Sequence, residues 1–231
     1  MAYFRLAWHV VKLRYMVLLD FRYPMTVDRP PQVSPLELVP DSIVERLNFL
    51  RVFGREAPVE VDLGCGDGAF LVEMAKRHPE RDFLGTERLL GRVRKSCRRA
   101  SDAGLCNVRV LQLESLYTTK YLLPSGSISV FHVLFADPWP KQKHKRRRLI
   151  NAPFLDAARA ALTSDGILNL VTDHQEYALH IREVVSERSD FEEVSQPPGL
   201  EYPMTDFEKR FREKNLPIHR IRLAVVNCAR K

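Results

Sequence analysis

Hydrophobic and polar positions along this chain follow two alternating patterns: short apolar runs, and longer stretches with apolar residues at helical spacing. The apolar runs predict buried strands at residues 59–63, 82–86, 108–113, 128–135 and 167–171. The helical spacing predicts helices over 69–78 and 89–103, and two more that begin near Pro153 and at Asp173 or His174. Residues 218–226 predict a closing strand or pair of strands. Such alternation indicates an α/β fold with a doubly wound, mostly parallel sheet.

The amino-terminal part of the chain departs from this rhythm. An apolar stretch over residues 10–19 is interrupted by Lys12 and Arg14, so it is too short and too charged to span a membrane. It is either an added basic helix or the remnant of an upstream start, with Met25 as the true beginning. Prolines within residues 26–40 predict an extended lead-in, followed by a helix from Asp41 or Ser42 to about residue 53. This pattern divides the chain into an extension, residues 1–39, and one domain, residues 40–231.

A glycine loop follows the strand at residues 59–63. Gly64, Gly66 and Gly68 occupy alternate positions, and Ala69 opens the next helix. This spacing fits the G-x-G-x-x-A turn of dinucleotide-binding proteins. It fits equally well the glycine loop of enzymes that use S-adenosyl-L-methionine (SAM).

Acidic residues distinguish between these two cofactors. Asp62 precedes the loop and Asp67 lies within it, and both carboxylates would repel a pyrophosphate at the helix N-terminus. SAM has no phosphate but carries an ammonium and a sulfonium, which nearby acids complement. Glu87, at the end of the second strand, is placed to accept hydrogen bonds from ribose hydroxyls, and Glu114 follows the third strand near an adenine edge. We therefore predict SAM as the cofactor, although any one of these acids alone is also consistent with a surface carboxylate.

The most unusual segment combines an acid, an aromatic ring and a basic run. Asp137 follows the strand at residues 128–135, and Pro138 and Pro140 bracket Trp139 in a stretch that cannot continue as a helix. Six lysines and arginines lie within residues 141–148. An indole can stack on a base and cations can bind phosphates, so the segment favours a reaction on nucleic acid. The alternative is a proline turn followed by the solvated start of a basic helix.

Charge and cysteine usage narrow the setting. The net charge is +7, and a second basic cluster of six residues lies within residues 88–99, which either attracts a polyanion or forms a solvated helix face. The 45% hydrophobic content supports a substantial core. The four cysteines show no CxxC spacing and no matching histidine pattern. A zinc site or disulfide framework is therefore not expected, and a reduced cytoplasmic setting is.

The motifs together resemble the bacterial tRNA (guanine-N7)-methyltransferase family, a family of SAM-dependent class I methyltransferases, over about residues 40–223. The resemblance lies in Asp137-Pro138-Trp139-Pro140-Lys141, Lys145-Arg146-Arg147, Thr172-Asp173 and Thr205-Asp206-Phe207-Glu208. It implies a Rossmann-like fold, SAM as cofactor, tRNA as partner and no metal. The implied reaction is methylation of N7 of the variable-loop guanine, position 46 in tRNA numbering, to give 7-methylguanosine.

The resemblance also implies roles for individual residues. The cofactor residues are the loop glycines Gly64, Gly66 and Gly68 with the acids Asp62, Glu87, Glu114 and Asp137, and Asp137 is also the catalytic residue. The substrate residues are Lys141, Asp173, Thr205, Asp206, Phe207 and Glu208. The tRNA contacts are Lys143, His144, Lys145, Arg146, Arg147 and Arg148. Three features depart from the family: Glu114 stands where it usually has Asp, the glycine loop carries Cys65, which puts no role in doubt, and the first 24 residues have no recognised counterpart.

The implied chemistry agrees with the residues that the chain carries. Guanine N7 already has a free lone pair, so methyl transfer needs no strong base and depends mainly on alignment. A carboxylate at Asp137 or Asp173 would stabilise the base as it becomes cationic, or hold its Watson–Crick edge. Structural alternatives remain for Trp139, as a packed ring that seals the loop, and for Thr205 and Glu208, as a helix capping box.

Three functions remain to be compared. The leading one is tRNA N7-guanine methylation. The second is SAM-dependent methylation of another RNA base or a small molecule, although a small-molecule substrate leaves the basic run without a role. The third is a non-catalytic RNA-binding protein on the same scaffold. The sequence leaves open whether the protein is a monomer or a homodimer.

Overall fold

The computed structural model describes residues 34–226, which form an eight-stranded sheet with helices. The strands are β1 (Glu37–Leu38), β2 (Val59–Leu63), β3 (Asp82–Glu87), β4 (Val108–Gln112), β5 (Ile128–Leu134), β6 (Leu162–Thr172), β7 (Phe191–Glu193) and β8 (His219–Val225). Their order in the sheet is β1-β4-β3-β2-β5-β6-β8-β7. The first six strands pair in parallel, and β8 pairs antiparallel with both β6 and β7. The predicted mostly parallel sheet is confirmed.

Helices connect successive strands, as the sequence pattern predicts. The α-helical segments of the described residues are α1 (Phe49–Phe53), α2 (Ala69–Arg77), α3 (Leu90–Asp102), α4 (Ser115–Tyr117), α5 (Ala152–Ala161), α6 (Gln175–Ser186) and α7 (Asp206–Glu213). A π-helical turn, Thr118–Leu122, continues α4, and a 3-10 helix spans Gln142–Arg147. Within residues 34–226, no helix has both the length and the apolar character needed to cross a membrane.

Apolar side chains form a core on each face of the sheet. Successive residues of a strand point to opposite faces, and Phe83 and Leu84 of β3 accordingly belong to different clusters. Phe83 packs with residues of α2 and α3, such as Leu71 and Val93. Leu84 belongs to the larger cluster, which includes Phe154 of α5 and Tyr177 and Ile181 of α6. This three-layer packing fixes the positions of the strand ends.

The strand order reverses beside β2, which lies between β3 and β5. The chain leaves β2 toward β3 and β4 on one side, and later returns to β5 and β6 on the other. Loops that leave the carboxyl ends of β2 and β5 therefore diverge and open a crevice, which is where open α/β sheets bind ligands.

The first predicted helix begins later than the sequence indicates. The prediction placed its start at Asp41 or Ser42, whereas α1 begins at Phe49 with Asn48 as its cap. The segment before it is held to a neighbouring loop, because Leu47 N–H donates to Leu122 O at 2.8 Å. Strand β1, at Glu37–Leu38, lies inside the predicted lead-in and pairs with β4. The predictions for residues 1–33 and for Cys228 lie outside the described part of the chain.

Candidate active site at the sheet switch point

The loop after β2 is a tight turn in which three glycines adopt a backbone that other residues avoid. The φ angle is 85° at Gly64, 58° at Gly66 and 79° at Gly68. The loop is tied to β3 because the N–H groups of Gly64 and Cys65 donate to Thr86 O at 3.0 and 2.8 Å. A Cβ on Gly64 or Gly66 would meet no atom within 4 Å, so this backbone is accessible to a ligand.

Gly68 has a different environment from the other two glycines. A Cβ at this position would lie 2.1 Å from Ser96 Oγ on α3. Gly68 does not line the cleft, and it instead allows the start of α2 to pack closely against α3. This close approach matches the helix-packing function of the third glycine in such loops.

Two buried acids, Asp62 and Glu87, lie beside the loop and differ in their partners. Asp62 on β2 is 3% exposed, and among the described residues its carboxylate forms no ion pair. Burial, with a smaller contribution from the negative charge of Glu87, raises the pKa of Asp62 to about 7. Glu87 Oε1 accepts hydrogen bonds from the N–H groups of Arg88 and Leu89 at 2.7 and 2.9 Å, and Oε2 lies 3.7 Å from Arg92. Asp62 and Glu87 together place negative charge beside the glycine loop.

Glu114 lies at a third strand end and is held by the backbone. Its two carboxylate oxygens accept from Leu116 N–H at 3.0 Å and Tyr117 N–H at 2.7 Å, so it caps α4. Glu114 also lines the cleft. The cap fixes the position of the carboxylate, and each oxygen retains a lone pair for a further donor.

The loop after β5 carries Asp137 into the cleft on a strained backbone. Phe135 and Trp139 have positive φ angles, 55° and 43°, which cost about 1–3 kcal/mol each and persist only where neighbouring contacts enforce them. One such contact is from Arg148, whose Nε donates to Pro138 O at 2.8 Å. The exposed Asp137 side chain forms no hydrogen bond or ion pair with the described residues.

Arg148, which the sequence predicts to contact tRNA, is buried in the structure. It is 2% exposed, and its guanidinium lies over the Tyr177 ring, 5.2 Å from the centroid, and 3.3 Å from Glu176. A side chain enclosed in this way has no surface to offer to RNA. Its hydrogen bond to Pro138 makes it an anchor for the loop that presents Asp137.

Helix α7 closes one side of the cleft. Thr205 caps it by accepting from Glu208 N–H at 3.0 Å, which is one half of the predicted capping box. The ring centroids of Phe211 and Phe135 lie 5.3 Å apart. Phe207 lies 6.4 Å from the Phe135 ring and lines the cleft. The Glu208 carboxylate turns away from the cap and binds Arg212 and Arg220, and only 3% of Glu208 is exposed. Glu208 therefore anchors α7 rather than lining the cleft.

These elements enclose one cleft of about 970 Å³ at the switch point. Of the predicted site residues it brings together Asp62, Gly64, Gly66, Glu87, Glu114, Asp137, Arg147, Thr205, Asp206 and Phe207. Asp173, at the carboxyl end of β6, and the exposed Lys143 and Arg146 lie outside its lining. A smaller cavity of about 290 Å³ is bordered by Trp139, Pro140, Lys141 and His144. Lys145, a predicted tRNA contact, lies outside both linings and forms an ion pair with Glu176.

Several cleft residues were not singled out from the sequence. Arg88, Arg92 and Lys95 line it from the α3 side, and Arg210 lines it from α7. The only sequence signal was the basic cluster at residues 88–99, which spacing alone could not orient. The prediction that Asp67 would repel a pyrophosphate also needs a correction. Its carboxylate is neutralised by Lys95 at 2.8 Å and Arg99 at 3.1 Å. The charge argument for SAM therefore depends on Asp62 and Glu87.

The chemistry of the cleft fits SAM. Its volume falls in the usual range for small-molecule sites, and the open glycine backbone allows a ligand to approach closely. The unpaired, buried Asp62 complements a positively charged ligand, whereas it would repel a pyrophosphate. Among residues 34–226, no group of three or more histidines, cysteines or acids is arranged to hold a metal ion. The fold and site together define the class of Rossmann-like, SAM-dependent class I methyltransferases.

Known proteins identify the family within this class. Residues 56–221 match the family model described as "Putative methyltransferase". The tRNA (guanine-N(7)-)-methyltransferase of Sodalis glossinidius is 35% identical, covering 74% of this chain and 73% of the relative, and that of Escherichia coli O6:K15:H31 is 37% identical, covering 72% of each. This chain therefore belongs to the tRNA (guanine-N7)-methyltransferase family. The solved 16S rRNA methyltransferase KamB shares the fold, with a TM-score of 0.54 at 16% identity over 78% of this chain and 93% of that one.

Proposed function

We propose that this chain transfers the methyl group of SAM to N7 of the variable-loop guanine of tRNA, position 46, and that the cleft at the switch point is the active site. The observation that carries the proposal is the placement of Asp137. A strained and anchored loop presents its unpaired carboxylate in the same cleft as the open glycine loop and the buried acids. The proposed partner is tRNA and the proposed compartment is the cytoplasm.

On the cofactor side, the proposed contacts follow from charge and position. SAM, when bound, supplies a methyl group on a positively charged sulfur. Asp62 and Glu87 lie beside the glycine loop, so Asp62 would complement the positive charge of the ligand and Glu87 would accept from ribose hydroxyls. Gly64 and Gly66 would allow the ligand to approach the backbone, and Glu114 would face the adenine edge.

On the substrate side, Asp137 is the proposed catalytic residue. Guanine N7 has an available lone pair, so its methylation requires alignment and stabilisation of positive charge rather than removal of a proton. An ionised carboxylate at Asp137 would hold the N1 and N2 donors of the base or stabilise its developing charge. Thr205, Asp206 and Phe207 line the same cleft and are proposed to contact the substrate.

The remaining substrate residues surround this group. Lys141 borders the small cavity beside Trp139, and Asp173 lies at the end of the strand next to β5. Both are proposed to contact the nucleotides around the target guanine. Trp139 either stacks on a base or packs the loop, and its contact with the Arg147 guanidinium, 5.0 Å from the ring centroid, is compatible with both roles.

The test is methyl transfer from labelled SAM to an unmodified tRNA transcript, followed by identification of the labelled nucleoside. The expected product is 7-methylguanosine, lost when guanine 46 is replaced by adenine. A different labelled nucleoside would overturn the target but keep the enzyme class. Binding of SAM by calorimetry without any transfer would favour a small-molecule substrate, and failure to bind SAM would favour a non-catalytic RNA-binding protein.

A further inference from the structure

We infer that Arg88, Arg147 and Arg210, here called the rim arginines, bind the phosphates of the tRNA backbone on opposite sides of the target guanine. The inference rests on the proposed function and extends it, because it assigns the RNA-binding surface to the whole mouth of the cleft. The sequence had assigned this contact to the basic run at residues 143–148 alone.

The rim arginines come from three separate elements. Arg88 directly follows β3, Arg147 ends the 3-10 helix, and Arg210 lies on α7. All three are exposed, and all three line the same cleft. Three distant segments of the chain thus place a guanidinium at one opening, which is the arrangement needed to hold a polyanion across it.

Two of the acids that line the cleft are buried more deeply than the rim arginines. The acids beside the glycine loop are deep, with Asp62 3% and Glu87 8% exposed, whereas the rim arginines are exposed to solvent. A single ligand of one charge does not explain this division. A positively charged ligand suits the buried acids, and a polyanion suits the mouth.

The rim arginines also differ from the other cations of the cleft. Lys95 is paired with Asp67 at 2.8 Å, and Arg92 lies 3.7 Å from Glu87. Within residues 34–226, by contrast, no carboxylate lies within ion-pair distance of the three rim arginines. Arg147 is held over the Trp139 ring, which orients its guanidinium without neutralising it. Among the described residues the three guanidiniums therefore have no direct carboxylate partner, although the exposed acids Glu114 and Asp137 line the same cleft.

The cofactor cannot supply the missing negative charge. SAM carries one carboxylate and no phosphate, so it can neutralise at most one of three guanidiniums on three elements. A polynucleotide carries one phosphate per residue, and guanidinium binds phosphate through paired hydrogen bonds. RNA phosphates on either side of the inserted guanine would supply a partner for each rim arginine.

The test compares Arg88→Gln and Arg210→Gln with a matched control, Arg94→Gln, in the full chain. Arg94 lies exposed on α3, outside the cleft lining, and makes no ion pair with a described residue. Affinity for an unmodified tRNA transcript is measured over a range of NaCl concentrations. Each rim variant should weaken binding by roughly tenfold and reduce the slope of log affinity against log salt by about 0.7 to 0.9. The control should change neither quantity by a comparable amount.

Two further measurements separate the possible failures. SAM affinity measured by calorimetry should be unchanged in both rim variants, and a loss in Arg88→Gln would show that it serves the cofactor and overturn its assignment to phosphate. If the wild-type chain methylates tRNA but the rim variants keep the control's salt slope, the inference is wrong while the proposed function stands. If the wild-type chain does not methylate tRNA, the proposed function fails first.

Discussion

Two buried carboxylates on strand β2 lie two residues apart on the same face of the sheet and have opposite environments. Glu60 accepts from Arg81 at 2.5 Å and from His132 Nε2 at 2.8 Å. Burial works to raise the pKa of Glu60, but His132 and Arg81 outweigh it and the pKa is lowered. Asp62, nearer the strand end, has no such partners, and burial raises its pKa to about 7.

The same contrast separates two further acids, Glu208 and Asp137. Glu60 and Glu208 are satisfied by cations inside the protein, whereas Asp62 and Asp137 face the cleft without an ion-pair partner among the described residues. A buried carboxylate left unpaired costs stability unless a ligand completes it. We therefore expect Glu60 and Glu208 to serve the fold, and the buried Asp62 and the exposed Asp137 to serve ligands. Four predictions test this division, from the largest expected effect to the smallest.

Asp137→Ala should lower kcat by about 10²–10³-fold, the range for removing one fixed group that stabilises charge in a transition state. SAM affinity and thermal stability should be largely retained, because Asp137 has no partner inside the protein. Labelled methyl transfer and calorimetry measure the two effects. The matched control is Asp165→Ala, an exposed acid on β6 outside the cleft lining. Full activity of Asp137→Ala would remove its assigned role.

Glu60→Gln should reduce the free energy of unfolding by about 2–3 kcal/mol, because it leaves Arg81 and the buried His132 without their carboxylate. The value lies toward the lower end for a buried pair, since the Arg81 side chain is 38% exposed. SAM affinity should change little. Glu73→Gln, which breaks the exposed Arg77–Glu73 pair, should cost well under about 1 kcal/mol. Equal losses in urea unfolding of the two variants would contradict the division.

Glu208→Gln should cost about 1–2 kcal/mol of stability, reduced by solvent because its partners Arg212 and Arg220 have 59% and 38% exposed side chains. The KM for tRNA should rise, because α7 carries Thr205 and Phe207 into the cleft. Glu213→Gln, exposed at the end of α7, is the control. A loss of activity with unchanged stability would instead support the predicted direct contact of Glu208 with substrate.

The pH dependence of Asp62 is the most specific of the four effects. The pKa of Asp62 is about 7, so at lower pH its carboxyl becomes neutral and no longer attracts a cation. SAM affinity should therefore fall by up to about tenfold for each pH unit below this value. The unfolded chain titrates near 3.9, so the folded state holds an extra proton between about pH 4 and 7. Stability of the ligand-free protein should therefore decrease as pH rises through this window.

Asp62→Asn separates these two consequences. It should abolish this part of the pH dependence, weaken SAM binding at pH 8 and stabilise the ligand-free protein, since a neutral amide avoids burying a charge. Calorimetric titrations and unfolding curves between pH 5 and 8 provide the measurements. An unchanged SAM affinity in Asp62→Asn would show that this acid does not face the cofactor.

Much of the proposed cofactor site was predictable from the sequence, because its residues lie in short motifs at the ends of successive strands. The spacing of Gly64, Gly66 and Gly68 and the acids at the strand ends indicated the loop and the ligand directly. Parallel strands end at one edge of the sheet, so acids that follow successive strands are brought together by topology. The cap at Thr205 was equally predictable, since its side chain accepts from the third N–H that follows it.

What the sequence by itself determined is the set of elements, the mostly parallel sheet, the glycine loop and the family to which the chain belongs. Only the tertiary structure decided which charges are available. Arg148 and Arg147 are neighbours, yet one is enclosed beneath the loop and the other lines the cleft. Asp67 and Asp62 both line the cleft, but Asp67 is paired with Lys95, whereas Asp62 has no ion-pair partner among the described residues. The free energy of a charge depends on its desolvation and on partners brought near by folding. Arg88, Arg147 and Arg210 meet at one cleft only because the chain returns to it three times.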